Sequence, residues 1–508
     1  MTGIVGCPGD TTAQDVPFGR DRLPVVARYS ASISMSECKR LEKIAESLAA
    51  NEPALVTTNV FGSQVAPGLM EGPALLICDD REIALTDLRR SELHEYRISA
   101  LAADGDTLLI SGARNTAFEH YRKDVLRLGS LDVITLPAEN RNERVPLAKR
   151  CAARPAALEA IAAKAGKTGG LTILPYLGTG TVWVLAAAIA ELAGTPVRVA
   201  APPPRLIRRV NNKVWFARRV AEVLGTRAQP AFWSVYGPVA LAGQVARLAR
   251  QAGRVVIKVP DSAGSQGNIS LGAADIRGRT LEELRIHLLS ILGSIGWRGR
   301  FPLLVEVWDS PVLANPSVQA WIPNCLEEPP ILEDIFEQVV TGPEGAFVGS
   351  VPAMLPNRWK EQITHEAFKL ATLFQNLGYF GRCSFDAVIA GNDYAKAKLH
   401  WIECNGRWGG VSMPMTLANR LVKDRRQQVF VVVQLTNMNF KSRTIVEAQE
   451  MMGSDLFKVP GSEEGVVFLS PFGIESGSGV NLMAIANTVE RAKELAQRAT
   501  QKLIGRPI

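Results

Sequence analysis

Seven cysteines and five histidines are few for a chain of 508 residues, and neither type clusters. Cys7, Cys38, Cys78, Cys151, Cys325, Cys383 and Cys404 include no CxxC pair. Their scatter argues against a zinc knuckle or a disulfide framework and suits a reducing cytosol, so a cytoplasmic location is expected. The isolated histidines offer no His-rich metal site. Long hydrophobic runs are missing too. The most apolar helical stretch, 181–194, carries Glu191 and falls short of the roughly 20 apolar residues that span a bilayer. The N-terminus lacks the basic start, apolar centre and cleavage site of a signal peptide. Charge of one sign is not concentrated: 57 Lys and Arg stand against 50 Asp and Glu, a net of +7. The densest basic cluster is Arg205, Arg208, Arg209, Lys213, Arg218 and Arg219. It reads as a solvated helix face or as an attraction for an anionic substrate. No basic stripe with interleaved aromatics accompanies it, so neither nucleic acid nor membrane is expected as a partner.

What is present is the composition of a folded globular protein, 47% hydrophobic and 21% charged. Length suggests about two to four domains. Residues 1–30 lack periodicity and are expected either to lack order or to lie along another chain. Ser36 is placed to cap a helix through Leu41, Ile44 and Leu48. Apolar runs at 74–78, 107–110 and 132–136 read as strands. An Ala-rich helix from Arg154 leads to Gly169-Gly170. Strand 171–174, the turn Gly178-Thr-Gly-Thr181, a helix over 182–192 and strand 197–201 follow, a pattern that predicts a parallel sheet. The Gly178/Gly180 turn lacks the third glycine of a dinucleotide fingerprint and reads as a tight connection. Ala201-Pro-Pro-Pro204 is a stiff break and a plausible boundary. Helices over 212–224 and 239–252 come next. The tail after 430 holds a strand at 465–469 and an amphipathic helix over 488–503.

Two stretches carry chemistry. In the first, Arg254-Val-Val-Ile-Lys258 runs into Asp261-Ser-Ala-Gly-Ser-Gln-Gly-Asn268. A lysine in an apolar strand needs a negative partner. The loop residues Ser262, Gly264, Ser265, Gln266, Gly267 and Asn268 can bring backbone amides close to phosphate oxygens. A strand ending in an ordinary polar turn would show the same pattern. The second stretch is more specific. Strand 381–390, a polar turn and strand 398–405 form a hairpin. If it closes about Tyr394, Asp386 lies opposite Glu403 on one face, and Asn405 shares that face. Asp, Glu and Asn oxygens on one surface suit a hard cation such as magnesium. Arg407 follows at once, flanked by Gly406, Gly409 and Gly410, and is placed to neutralise an anion.

These residues, in this order, resemble the ATP-grasp superfamily over about 205–430. The resemblance implies ATP as cosubstrate with Mg2+ (or Mn2+) held by Asp386, Glu403 and Asn405. It makes Lys213, after Asn212, and Lys258 the phosphate-binding lysines, with Lys258 and Arg407 as catalytic residues. Leu303-Leu-Val-Glu306-Val307-Trp308 resembles the hinge strand that holds adenine through its backbone. No residue answers to the usual ribose glutamate; 315–319 occupies its place. With the long α/β region before it, the chain looks like the pheganomycin-type peptide ligases. The implied fold class is α/β (α+β): a Rossmann-like pre-ATP-grasp domain over 1–204, an ATP-grasp module over 205–430 with a glycine-loop lid near 231–300, and a C-terminal segment over 431–508.

The implied activity is ATP-dependent coupling of a small-molecule carboxylate to the amine of an amino acid or peptide. The route passes through an acyl phosphate and releases ADP and phosphate. An acceptor other than an amino acid, or a binding protein that retains the fold without catalysis, are the alternatives. The oligomeric state is left open, a homodimer included.

Overall fold

The computed structural model describes residues 23–504, apart from 88–90, 92–93, 139–143, 325, 343, 423–426, 437–439 and 477–478. Three sheets organise the chain. The first has six strands in the order Val65–Pro67, Val197–Val199, Leu171–Pro175, Ala74–Ile77, Asp106–Ile110, Leu131–Thr135. All its pairings are parallel, as the strand, turn, helix, strand pattern predicts. Helices Pro155–Thr168 and Gly180–Ala193 pack together, and their buried Ile161, Ala165, Trp183 and Ile189 share a core with the sheet. The chain leaves strand Ala74–Ile77 toward one edge and returns beside it as Leu171–Pro175, which builds the other edge. Gly178 serves close approach: a Cβ there would sit 2.3 Å from Ala201 Cβ. That fits a tight connection rather than an anion cradle.

The second sheet is antiparallel, in the order Phe232–Val235, Leu303–Val307, Arg254–Lys258, Asn268–Gly272. Helices Pro238–Ala249 and Leu281–Ser294 cover it, burying Leu241, Val245, Leu248, Leu284, Leu288 and Leu292. Thr280 and Glu283 start the second helix with a reciprocal capping box.

The third sheet has nine strands. Gly381–Ala390 lies near one end, paired with Pro316–Ile322 and with Lys398–Asn405. The tail strands Val429–Thr436, Gly479–Ala486 and Gly465–Phe468 extend the other end. One face carries helices Met35–Asn51, Lys213–Leu224 and Asn357–Asn376 over a core that includes Phe216, Phe374, Phe385 and Trp401.

Three local expectations change. Ser34, not Ser36, caps the first helix by accepting from the Glu37 amide. The described part of the N-terminal segment lies along this chain's own third sheet, where Tyr29 bridges Leu332. Cys38 is disulfide-bonded, whereas Cys78, Cys151, Cys383 and Cys404 are free and buried. Among the described residues no helix is long and apolar enough to cross a membrane.

Candidate functional site

The hairpin of strands Gly381–Ala390 and Lys398–Asn405 sets the acidic face. Near the turn Ala387 pairs with Trp401, a register that would put Ile402 opposite Asp386. A bulge between Asp386 and Ala387 absorbs one residue, so Glu403 faces Asp386 instead. Closure about Tyr394 alone does not produce this pairing; the bulge does. The Ser317 hydroxyl donates to Asp386 Oδ1 at 2.6 Å, and Asn405 Nδ2 donates to Oδ2 at 2.9 Å. Burial and the neighbouring Glu403 charge push the Asp386 carboxyl up to about 6. Burial also acts against the charged form of Glu403, but Lys213 and Arg407 outweigh it and hold that carboxyl below its ordinary value.

This donor set fits a hard divalent cation. Two carboxylates opposed on a half-buried face repel unless a cation lies between them, and Asn405 turns its NH2 to Asp386, leaving its carbonyl oxygen for another partner. Among the described residues no group of three or more His, Cys, Asp or Glu could hold a metal by itself. Two carboxylates and an amide match an ion such as magnesium that completes its shell with substrate oxygens and water.

Lys213 stands at the start of helix Lys213–Leu224, whose Asn212 cap accepts from the Trp215 amide at 3.0 Å. Its ammonium lies 3.1 Å from Glu403 Oε2 and donates to Ser262 O at 3.2 Å and Ser262 Oγ at 3.3 Å. One buried lysine thus joins the acidic face to the glycine loop. Lys258 meets its negative partner in Glu306, at 2.5 Å, both buried within the second sheet.

The 262–268 loop closes the hairpin of strands Arg254–Lys258 and Asn268–Gly272. Val259 donates to Gly267 O at 2.8 Å, Gln266 to Ala263 O at 3.2 Å and Asn268 to Ser265 O at 3.1 Å. Gly267 admits no side chain, because a Cβ would lie 2.3 Å from Ser262 Oγ. Gly264 and Ser265 take positive φ, and Ser265 Oγ donates to Gly345 O at 3.1 Å. The loop is also joined to the N-terminal region. Leu85 N donates to Asp261 O at 3.3 Å, and Ala263 N donates to Leu85 O at 3.1 Å.

Of the hinge residues, Val307 ends a strand of the second sheet and Trp308 follows it, with their amides committed, to Ala231 O and Arg254 O, both at 3.1 Å. Their N–H groups are therefore not free for a purine base, and their carbonyls are what remains. Glu306 binds Lys258 through its side chain.

Arg407 is held from two directions. Its Nη1 donates to Asn211 Oδ1 at 2.6 Å and its Nε to the Tyr176 hydroxyl at 3.3 Å. Tyr176, Glu403 and Asp386 raise its pKa against the effect of burial. Asn211 also pairs with the Gly406 backbone, accepting from N at 3.1 Å and donating to O at 3.3 Å. Sequence reasoning missed Asn211, Tyr176 and Ser317. Asn211 lies two residues before Lys213, which is a signal; Tyr176 and Ser317 reach the site only through tertiary pairing.

The fold so described is the ATP-grasp fold with an α/β unit before it. Residues 95–191 match the Pre ATP-grasp domain family. A biotin carboxylase from Campylobacter jejuni, solved as a β,γ-ATP complex, superposes with a TM-score of 0.51 at 14% identity, covering 88% of this chain and 92% of that one. The biotin carboxylase domain of the Hydrogenobacter thermophilus 2-oxoglutarate carboxylase, solved with MgADP, ADP and bicarbonate, gives 0.50 at 15% identity, covering 86% and 91%. No curated protein matches the chain.

Proposed function

We propose that this protein is an ATP-dependent carboxylate–amine ligase that couples a small carboxylic acid to the amine of an amino acid or peptide through an acyl phosphate. In this it would act like the pheganomycin-type peptide ligases. The observation that carries the reading is Lys213, which bridges Glu403 of the acidic face and Ser262 of the glycine loop. An anionic chain of phosphates laid along that line meets ammonium groups, loop amides and a cation site in succession. Magnesium at Asp386, Glu403 and Asn405 would supply charge neutralisation of phosphate oxygens. Lys213 and Lys258 neutralise the rest of the triphosphate, and the 262–268 loop excludes water from the reacting groups. Catalysis of phosphoryl transfer is then mainly positioning and charge compensation. Arg407, fixed by Asn211 and Tyr176, presents its remaining N–H groups to the oxyanion formed when the amine attacks the acyl phosphate. The substrate carboxylate takes the γ-phosphoryl group and ADP leaves; after the amine attacks, inorganic phosphate leaves with the acyl C–O electron pair, the nitrogen gives its proton to that phosphate or to water, and the amide remains.

The test is ADP release by purified protein with ATP and magnesium against pools of amino acids, peptides and carboxylic acids, with mass spectrometry of the products. Release that needs two components, with a product mass equal to their sum minus water, supports the ligase. Release that needs bicarbonate alone would replace it with a carboxylating activity.

A further inference from the structure

The acceptor end of this site holds a cation, Arg97, with no partner among the described residues. In open α/β sheets, ligands bind beyond the carboxyl ends of the strands where strand order reverses. Here that point lies between Ala74–Ile77 and Leu171–Pro175, where Tyr176 N donates to Ile77 O at 2.7 Å. The loop after Asn405 docks there: Arg407 donates to the Tyr176 hydroxyl, and Trp408 N donates to Tyr176 O at 3.2 Å. Arg97 borders the same crevice. Its charge acts on the Cys78 thiol at the end of strand Ala74–Ile77, and its Nη2 lies 3.8 Å from where a Cβ on Gly410 would stand.

Arg97 is only 9% exposed, yet Nη2 has no hydrogen-bond partner and the side chain forms no ion pair among the described residues. Leaving a buried guanidinium unpaired is costly, and nearby acids are spent elsewhere. Glu95 and Asp79 both pair with Arg81, at 3.0 and 2.9 Å. Arg407, by contrast, lies close to Glu403 and Asp386. Gly410 is tightly packed: a Cβ there would lie 3.1 Å from the Phe347 ring. The guanidinium and the ring thus both pack against the Gly410 backbone.

We propose that Arg97 binds a substrate carboxylate that does not react: the free carboxylate of the amine-bearing substrate, which is therefore an amino acid or a peptide with an open C-terminus. This rests on the ligase reading. The carboxylate to be activated must meet the terminal phosphate near Asp386 and Glu403, whereas Arg97 sits on the short helix Glu95–Leu101, beside Gly410 in the loop that carries Arg407. A planar guanidinium pairs with a carboxylate in two parallel hydrogen bonds, which gives both affinity and orientation.

The test uses the full-length protein, Arg97→Met and Arg97→Lys, with calorimetry at saturating MgADP. The probes are L-amino acids, their carboxamides, and amine-free monocarboxylates. The expected result is that the wild type prefers amino acids to carboxamides by roughly tenfold to a hundredfold, the worth of a charge-assisted pair. Arg97→Met should erase that preference while MgADP affinity and Tm are maintained, and Arg97→Lys should keep part of it. A wild type indifferent to amidation, a Met variant that keeps the preference, or dependence on Arg97 for monocarboxylates alone would each overturn the proposal. An unchanged KM for the amine substrate in Arg97→Met would remove the anchor and leave the ligase standing. An Arg97-dependent acid preference with no amide product would do the reverse.

Discussion

The two ends of the site are built on opposite electrostatic plans. At the phosphate end, every buried lysine already has a carboxylate: Lys258 with Glu306, Lys213 with Glu403. At the acceptor end, Arg97 has none among the described residues, and Arg407 is steadied by a neutral amide and a phenol. A self-paired array holds its geometry before any ligand arrives, because each charge is compensated within the fold. An unpaired cation is instead compensated by what it binds. On the proposed function, the difference would separate a part made for a substrate common to many enzymes from a part that selects.

Substitutions can break this contrast, and the largest effect is expected at the junction. Glu403→Ala removes a proposed cation ligand and the partner of Lys213, and ADP release should fall at least ~10³-fold by coupled assay. Glu306→Ala should leave Lys258 buried and unpaired, lowering stability by about 3–5 kcal/mol in urea titration, because breaking a buried pair exposes the full cost of the survivor. Replacing both, as Lys258→Met with Glu306→Leu, should restore most of that stability without restoring turnover. Arg407→Lys should slow turnover by roughly 10²–10³-fold, in the range of losing an oxyanion donor, with MgADP affinity within threefold by calorimetry. The smallest change is expected at Tyr176→Phe, which deletes one 3.3 Å contact and should cost less than about fivefold in rate. If Tyr176→Phe instead matched Arg407→Lys, the phenol would have a chemical role beyond steadying the guanidinium.

Much of the phosphate end could be read from the sequence because its residues are close in the chain or carry local signatures. Asp386, Glu403, Asn405 and Arg407 lie on one hairpin and the loop after it, and Lys258 leads straight into the glycine loop. The hairpin register was legible only to within one residue. Counting from the turn puts Ile402 opposite Asp386, and nothing in the apolar spacing announces the bulge. The parallel first sheet was legible from its strand and helix alternation, as was the tail strand at 465–469. The acceptor end was not. Tyr176 and Arg97 meet the Arg407 loop across more than two hundred residues of chain, and no local pattern marks a cation as unpaired until the fold shows where the acids went. The commitment of Glu306 to Lys258 was hidden for the same reason: it is a diagonal neighbour across strands.

The two hydrogen bonds between Leu85 and the glycine loop have a mechanical consequence. A loop of this kind is usually pictured as a flap hinged at one end. Here its leading edge, at Asp261 and Ala263, is stitched to a different part of the chain, so it behaves as a latch whose catch is Leu85. Lifting it exposes two amides and two carbonyls to solvent, and the hydrophobic side chain of Leu85 must leave the core of the second sheet in the same movement. On the proposed function, the timing of nucleotide exit would be entrusted to a leucine from the N-terminal region.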